Sequence, residues 1–156
     1  TPMANPFPLE FEELAPFFSV AHKQCMVYEG PAPSPFPDVT PTPITNIRLD
    51  QAWGVTFHWH TLGALNYLVA GTWQLAVYLE EMGGGEFNLP GNVTNIPFVS
   101  APHTYTHVFG FGPGAVTHEG AYRIVTRVDM AGPGGYQGPI SAVGEGPIVK
   151  FYEVGP

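Results

Sequence analysis

After residue 46, apolar and polar positions alternate with a period of two. In Gly54-Val-Thr-Phe-His-Trp-His60, Val55, Phe57 and Trp59 fall on one face and Thr56, His58 and His60 on the other, the pattern of a half-buried strand. In 71–80, Trp73, Leu75, Val77 and Leu79 share the apolar face; in 120–129, Tyr122, Ile124, Thr126 and Val128 are in register, with Arg123 and Arg127 opposite. Further strands are expected over 47–53, 93–99, 105–111, 139–143 and 148–154. Turn chemistry separates them: Met82-Gly-Gly-Gly85, Leu89-Pro-Gly-Asn92, Gly112-Pro-Gly114 and Ala131-Gly-Pro-Gly-Gly135. Short strands with turns about every 8–12 residues predict an all-β fold, an antiparallel β-sandwich of about 7–9 short strands.

Residues 1–43 follow a different pattern. Three prolines stand in 1–8 and six in 31–43, where Pro at every second position from Pro31 to Pro37 forces extended geometry. Pro16 breaks any long helix, which leaves at most one helical turn over 10–14. Yet the segment carries Phe7, Phe11, Phe17, Phe18, Met26 and Phe36, which a solvated linker does not need. The expected organisation is therefore an extended Pro- and Phe-rich arm over 1–43 and a sandwich over 44–156. The arm packs either on its own domain or on a neighbouring subunit.

Composition agrees with a strand-rich domain. The 156 residues include 19 Gly and 18 Pro, together about twice the average share. Charged residues are 12%, too few for charge-rich disorder or a coiled coil. The net charge is −8, and the five cations, Lys23, Arg48, Arg123, Arg127 and Lys150, are scattered. Nucleic acid and anionic membrane surfaces need clustered cations, so neither is an expected partner. No apolar run reaches the roughly 18 residues of a membrane-spanning helix. Glu80, Glu81 and Glu86 read as a solvated loop, since the ligand spacing of a calcium loop is absent. The chain starts at Thr1 without an initiator Met, which fits a removed leader or a trimmed start. The compartment stays open, with the extracellular side or cell surface favoured.

Two segments echo one another. Gly71-Thr-Trp-Gln-Leu and Gly120-Ala-Tyr-Arg-Ile share a Gly, small, aromatic, polar, aliphatic order. Each resembles the strand opening of immunoglobulin-like sandwiches, where a Gly turn precedes an aromatic that enters the core. The resemblance lies at the level of architecture. It implies a sandwich and no particular function.

Chemistry is concentrated in six histidines. His58 and His60 lie two apart on one strand, which puts both imidazoles on one face about 7 Å apart. Neutral imidazole suits Zn, Cu, Fe and Ni, and the order Gly54, His58, His60, Gly71 resembles the first motif of cupin barrels. Gly63, Ala64 and Leu65 stand where that motif carries a Glu, and Gly112-Pro-Gly-Ala-Val-Thr-His118 fits the second motif loosely. The simpler role for His58 and His60 is on a polar sheet face, exposed or facing a partner. Cys25 stands alone and is expected as a buried structural thiol, with an interchain disulfide left open. No Ser lies in a nucleophile elbow and no Gly-rich stretch carries a phosphate-loop Lys. Asn92-Val-Thr94 is a glycosylation sequon.

The sequence thus points to a non-enzymatic structural or binding module, a subunit of a larger assembly, with a protein partner or copies of itself. Phe11, Phe17, Phe18, His58, His60 and His107 are the expected binding residues. No catalytic residue, metal or cofactor is expected. Two alternatives stay open: a cupin-like metal enzyme or metal-binding protein using His58 and His60 with His103 or His107, and a carbohydrate-binding module reading sugars with exposed Tyr and Trp.

Overall fold

A computed structural model describes residues 4–14, 16–30, 46–132 and 137–153. They form an all-β sandwich of two packed sheets. The first sheet has the order β1-β3-β5-β9: Ala4–Pro8, Ser19–Glu29, Trp53–Leu62 and Thr104–Phe111, all antiparallel. The second sheet is built on β6 (Thr72–Glu81), β10 (Gly120–Ala131) and β11 (Gln137–Tyr152). Short strands flank it: β2 (Glu10–Phe11) and β4 (Asn46–Arg48) beside β11, β7 (Glu86–Phe87) and β8 (Val93–Pro97) beside β6. The β4–β11 pairing is parallel.

The inward faces are those the alternation assigns. Val55, Phe57 and Trp59 from β5 meet Trp73, Leu75, Val77 and Leu79 from β6 and Tyr122, Ile124 and Val128 from β10, all fully buried. The echoing segments become neighbours, since β6 and β10 pair along their length. Both open on a glycine with positive φ, 139° at Gly71 and 157° at Gly120. At Gly71 a side chain would also strike the carbonyl of Ala131.

Three expectations need correction. First, residues 4–29 do not stand apart from the sandwich. They supply β1, β2 and β3, which join the eight strands β4–β11 of the expected sandwich and bring the described strands to eleven, and Phe7, Leu9 and Phe18 are core. Of the two packings open to the arm, this part takes the one on its own domain; the proline run at 31–43 lies outside the described residues. Second, the turn expected at 10–14 is not helical. Glu10 and Phe11 pair with Val143 and Ala142, and Leu14 bridges to Phe18.

Third, the separate strands over 139–143 and 148–154 are one strand, β11, running through Gly144-Glu-Gly-Pro147. Those glycines do not make a turn. A side chain at Gly144 or Gly146 would meet the Phe7 ring at 3.1 or 3.0 Å. They are small because β1 of the opposite sheet packs against them.

Charge divides unevenly between the sheets. Residues 51–79 and 87–118 contain no Asp, Glu, Lys or Arg, so β5, β8 and β9 are free of charge. In the first sheet only Lys23 and Glu29 are charged. The second sheet carries Glu10, Arg48, Glu80, Glu81, Glu86, Arg123, Arg127, Asp129, Glu145 and Lys150.

Candidate binding surface

His58 and His60 project from the outer face of the first sheet, opposite Phe57 and Trp59. Each is matched across the ladder by a threonine of β9: His58 Nδ1 lies 2.8 Å from Thr106 Oγ1 and His60 Nδ1 lies 2.6 Å from Thr104 Oγ1. A third imidazole joins them by an irregularity in β3. Ala21 pairs with His60 and Gln24 with His58, so β3 holds one more residue than β5 over this stretch. The extra residue makes a bulge, and His22 adopts a φ of +52° within it. His22, Lys23, Gln24 and His58 line a shallow depression there. Burial, then the neighbouring His22 and His60, push the His58 imidazole below the usual histidine range.

His107 is not part of this group. It pairs with the inward-facing Phe57 and its ring packs 5.1 Å from Phe109, so it lies on the other side of the sheet. Burial alone lowers its pKa. The His103 ring packs on Tyr105 at 4.7 Å, just before β9. Among the described residues, no three His, Cys, Asp or Glu side chains are arranged to hold a metal ion. The pairing of His58 and His60 with His107 would have to cross the sheet. Trp53, Trp59 and Trp73 are at most 2% exposed, and none offers a ring face to a sugar.

The three phenylalanines separate. Phe18 is fully buried, so it is a core residue. Phe11 packs on Trp59 and Trp73, at 5.9 and 6.1 Å between ring centroids, and also serves the interior. Phe17 alone is displayed, with 63% of its surface exposed. Its backbone is nonetheless fixed: Phe17 N–H donates to Leu14 C=O at 2.8 Å, and Phe17 C=O accepts from Leu65 N–H at 3.0 Å. Gly63, at φ +104°, lets that carbonyl approach. Glu13 braces the same turn, accepting from Val20 N–H and Lys23 Nζ, both at 3.0 Å. Those two bonds hold its carboxyl below the usual range, the backbone bond contributing most.

Around Phe17 lie residues that sequence reasoning did not single out. Leu62 ends β5, and the 3-10 helix Ala64–Leu68 follows at once, with Leu68 83% and Tyr67 65% exposed. Leu14 and Leu62 are exposed too. The helix carries Asn66 inward and fully buried, its Nδ2 donating to Gly63 C=O at 2.9 Å. Tyr67 and Leu68 are therefore turned outward. The available signal was the charge-free run Leu62-Gly-Ala-Leu-Asn-Tyr-Leu-Val69, which reads as interior when taken alone.

Two smaller sites resolve as structure. The Cys25 thiol is fully buried, 3.5 Å from Thr126 Oγ1, out of reach of a second chain. Asn92 Nδ2 donates to Val77 C=O at 2.9 Å, so the sequon amide ties the start of β8 to β6. Among the described residues no helix is long and apolar enough to cross a membrane. In comparison with known proteins, no family model matches the chain and no curated protein matches it.

Proposed function

We propose that this chain is a non-enzymatic β-sandwich binding module, working as a subunit of an assembly of its own copies. The observation that carries the reading is Phe17. An aromatic side chain left in solvent on a backbone pinned by Leu14 and Leu65 has already lost the freedom that binding would remove. That makes it a pre-organised anchor. Leu14, Leu62, Tyr67 and Leu68, exposed on the segments bonded around it, extend it into an apolar end.

Charge favours a second copy as the neighbour. A chain of net charge −8 repels its like wherever carboxylates face each other. The first sheet is where that repulsion is least, since its strands carry two charged residues against ten in the other sheet, and at the apolar end Glu13 is paired with Lys23. The outer face supplies His22, His58, His60, Thr104 and Thr106, polar groups cheaper to bury than ions. The likeness of the Gly71 and Gly120 strand openings to immunoglobulin-like sandwiches suits a binding scaffold.

Sedimentation of the purified chain over a range of concentrations tests the reading. The expected result is a species larger than the monomer, reduced in mass by Phe17→Ser with Leu68→Ser while the circular dichroism and melting stay those of a folded sandwich. A chain that is monomeric throughout, or a mass indifferent to the double variant, overturns it.

A further inference from the structure

Sheet edges invite pairing, and proteins blunt them with prolines, charges or short strands. Among the described residues, three of the four edges here are blunted. β1 carries Pro6 and Pro8. One edge of the second sheet is made by β2 and β4, of two and three residues. Its other edge is made by β7, of two residues, and β8, which ends on Pro97. The fourth edge is β9, Thr-Tyr-Thr-His-Val-Phe-Gly-Phe. It runs eight residues with no proline and no charge, in unbroken register with β5.

The direction of the β9 backbone groups follows from two bonds. His103 C=O accepts from Thr61 N–H of β5 at 2.9 Å, and Phe109 C=O accepts the Tyr28 hydroxyl, which reaches it across Gly54, at 3.1 Å. Odd-numbered residues therefore turn their backbone toward β5. In an antiparallel ladder the alternate residues turn theirs the other way. Thr104, Thr106, Val108 and Gly110 thus direct their N–H and C=O groups to the open side, and all four are exposed.

These four residues are symmetric about His107. We propose that β9 pairs antiparallel with β9 of a second copy, on a twofold axis through His107, joining the two four-stranded sheets into one of eight strands. In that register Thr104 meets Gly110 of the second copy and Thr106 meets Val108, so every open-side group of β9 gains a partner. On the inner face Tyr105 meets Phe109, an aromatic cross-strand pair of the kind that stabilises sheets, and the two His107 residues stand directly opposite. The pair uses both open edges and stops at two. A centre at Thr106 or Val108 leaves outward groups unmatched. The β9 edge is continuous with the apolar end, since Thr61 N–H bonds His103 and Ser100 Oγ donates to Val69 C=O at 2.7 Å. The inference rests on the assembly reading above and adds to the apolar end a second contact, along β9.

Two kinds of variant in the full chain test it. Val108→Pro removes an outward N–H without touching the ladder to β5 and is tolerated on an edge. It is expected to lower the native mass while the melting stays cooperative. His107→Cys places two thiols opposite each other across the axis and is expected to give a disulfide-linked dimer on mild oxidation, whereas Thr106→Cys is not. The native Cys25 is buried and does not compete. If the wild type associates but Val108→Pro leaves its mass unchanged, the edge pairing is overturned and the assembly reading stands. If the wild type is monomeric, both fall. Cross-linking at Thr106→Cys instead of His107→Cys, or a ladder of ever larger species closed by no dimer, overturns the twofold register.

Discussion

Trp59 of β5 and Trp73 of β6 meet edge to face between the two sheets, ring centroids 5.6 Å apart and planes at 82°. Tyr105 stacks on Trp59 at 5.0 Å and Phe98 packs on Trp73 at 5.4 Å. Each indole is fully buried, and neither Nε1–H has a hydrogen-bond partner among the described residues. Packing, not hydrogen bonding, holds this cluster. Trp59→Ala should therefore cost about 3–5 kcal/mol, whereas Trp59→Phe, which also removes an unpaired donor, should cost much less. Urea unfolding midpoints of the two variants check this. Equal losses would mean that the indole N–H contributes.

The close packing of β1 on β11 makes a second prediction. A Cβ at Gly144 would run into Thr126 Oγ1 and stand 3.1 Å from both the Phe7 ring and Pro8 C=O. Gly144→Ala should destabilise by about 1–3 kcal/mol through overpacking. Gly112, with open space around it, is the control, and Gly112→Ala should change little. Thermal melts of both proteins, measured side by side, distinguish a packing glycine from a turn glycine.

These glycines also mark what the sequence made legible. Most strand positions after residue 46 and their buried faces follow from the period of two, because each side of those strands meets a single environment. The strand expected over 47–53 instead stops at Arg48, and a turn leads to β5 at Trp53. Two things hid the rest. The β3 bulge shifts the parity, so that Val20 and Cys25 both point inward from even and odd positions, and no alternation survives across it. Gly144 and Gly146 look like turn residues, because what excludes a side chain there is Phe7, distant in sequence. In the candidate surface, His58 and His60 were legible from their spacing. Phe17 could not be told from Phe18, since adjacent phenylalanines differ only in which way a tertiary turn sends them.

Acid should weaken the fold through two histidines. His58 and His107 are both held below the usual histidine value, chiefly by burial. In the unfolded chain they take up a proton near pH 6.5, while the native state resists it. Their contribution is present above about pH 6.5 and is lost as pH falls toward the lowered native values. Unfolding free energies between pH 8 and 5 should decline with the wild type. The decline should flatten with His58→Gln and with His107→Gln, and an unchanged slope in both would refute the assignment.

At the alkaline end the controlling group is Cys25. Full burial pushes its thiol up to about 12, against the opposing effect of the Thr126 hydroxyl. The unfolded chain ionises at the ordinary value of 9.0, so between these two the unfolded state has released a proton that the native state keeps. Stability is then intact below about pH 9 and falls as pH rises, by about 1.4 kcal/mol per unit from this group. Tyr28 and Tyr122, also raised by burial, add to the loss from about pH 10 upward. Comparison of wild type with Cys25→Ala isolates the thiol: the variant should lose the slope between pH 9 and 10 and keep the tyrosine part above it. A thiol reagent supplies the second readout. At pH 8 the native protein should react only as fast as it unfolds, and rapid labelling of the folded chain would place Cys25 at the surface.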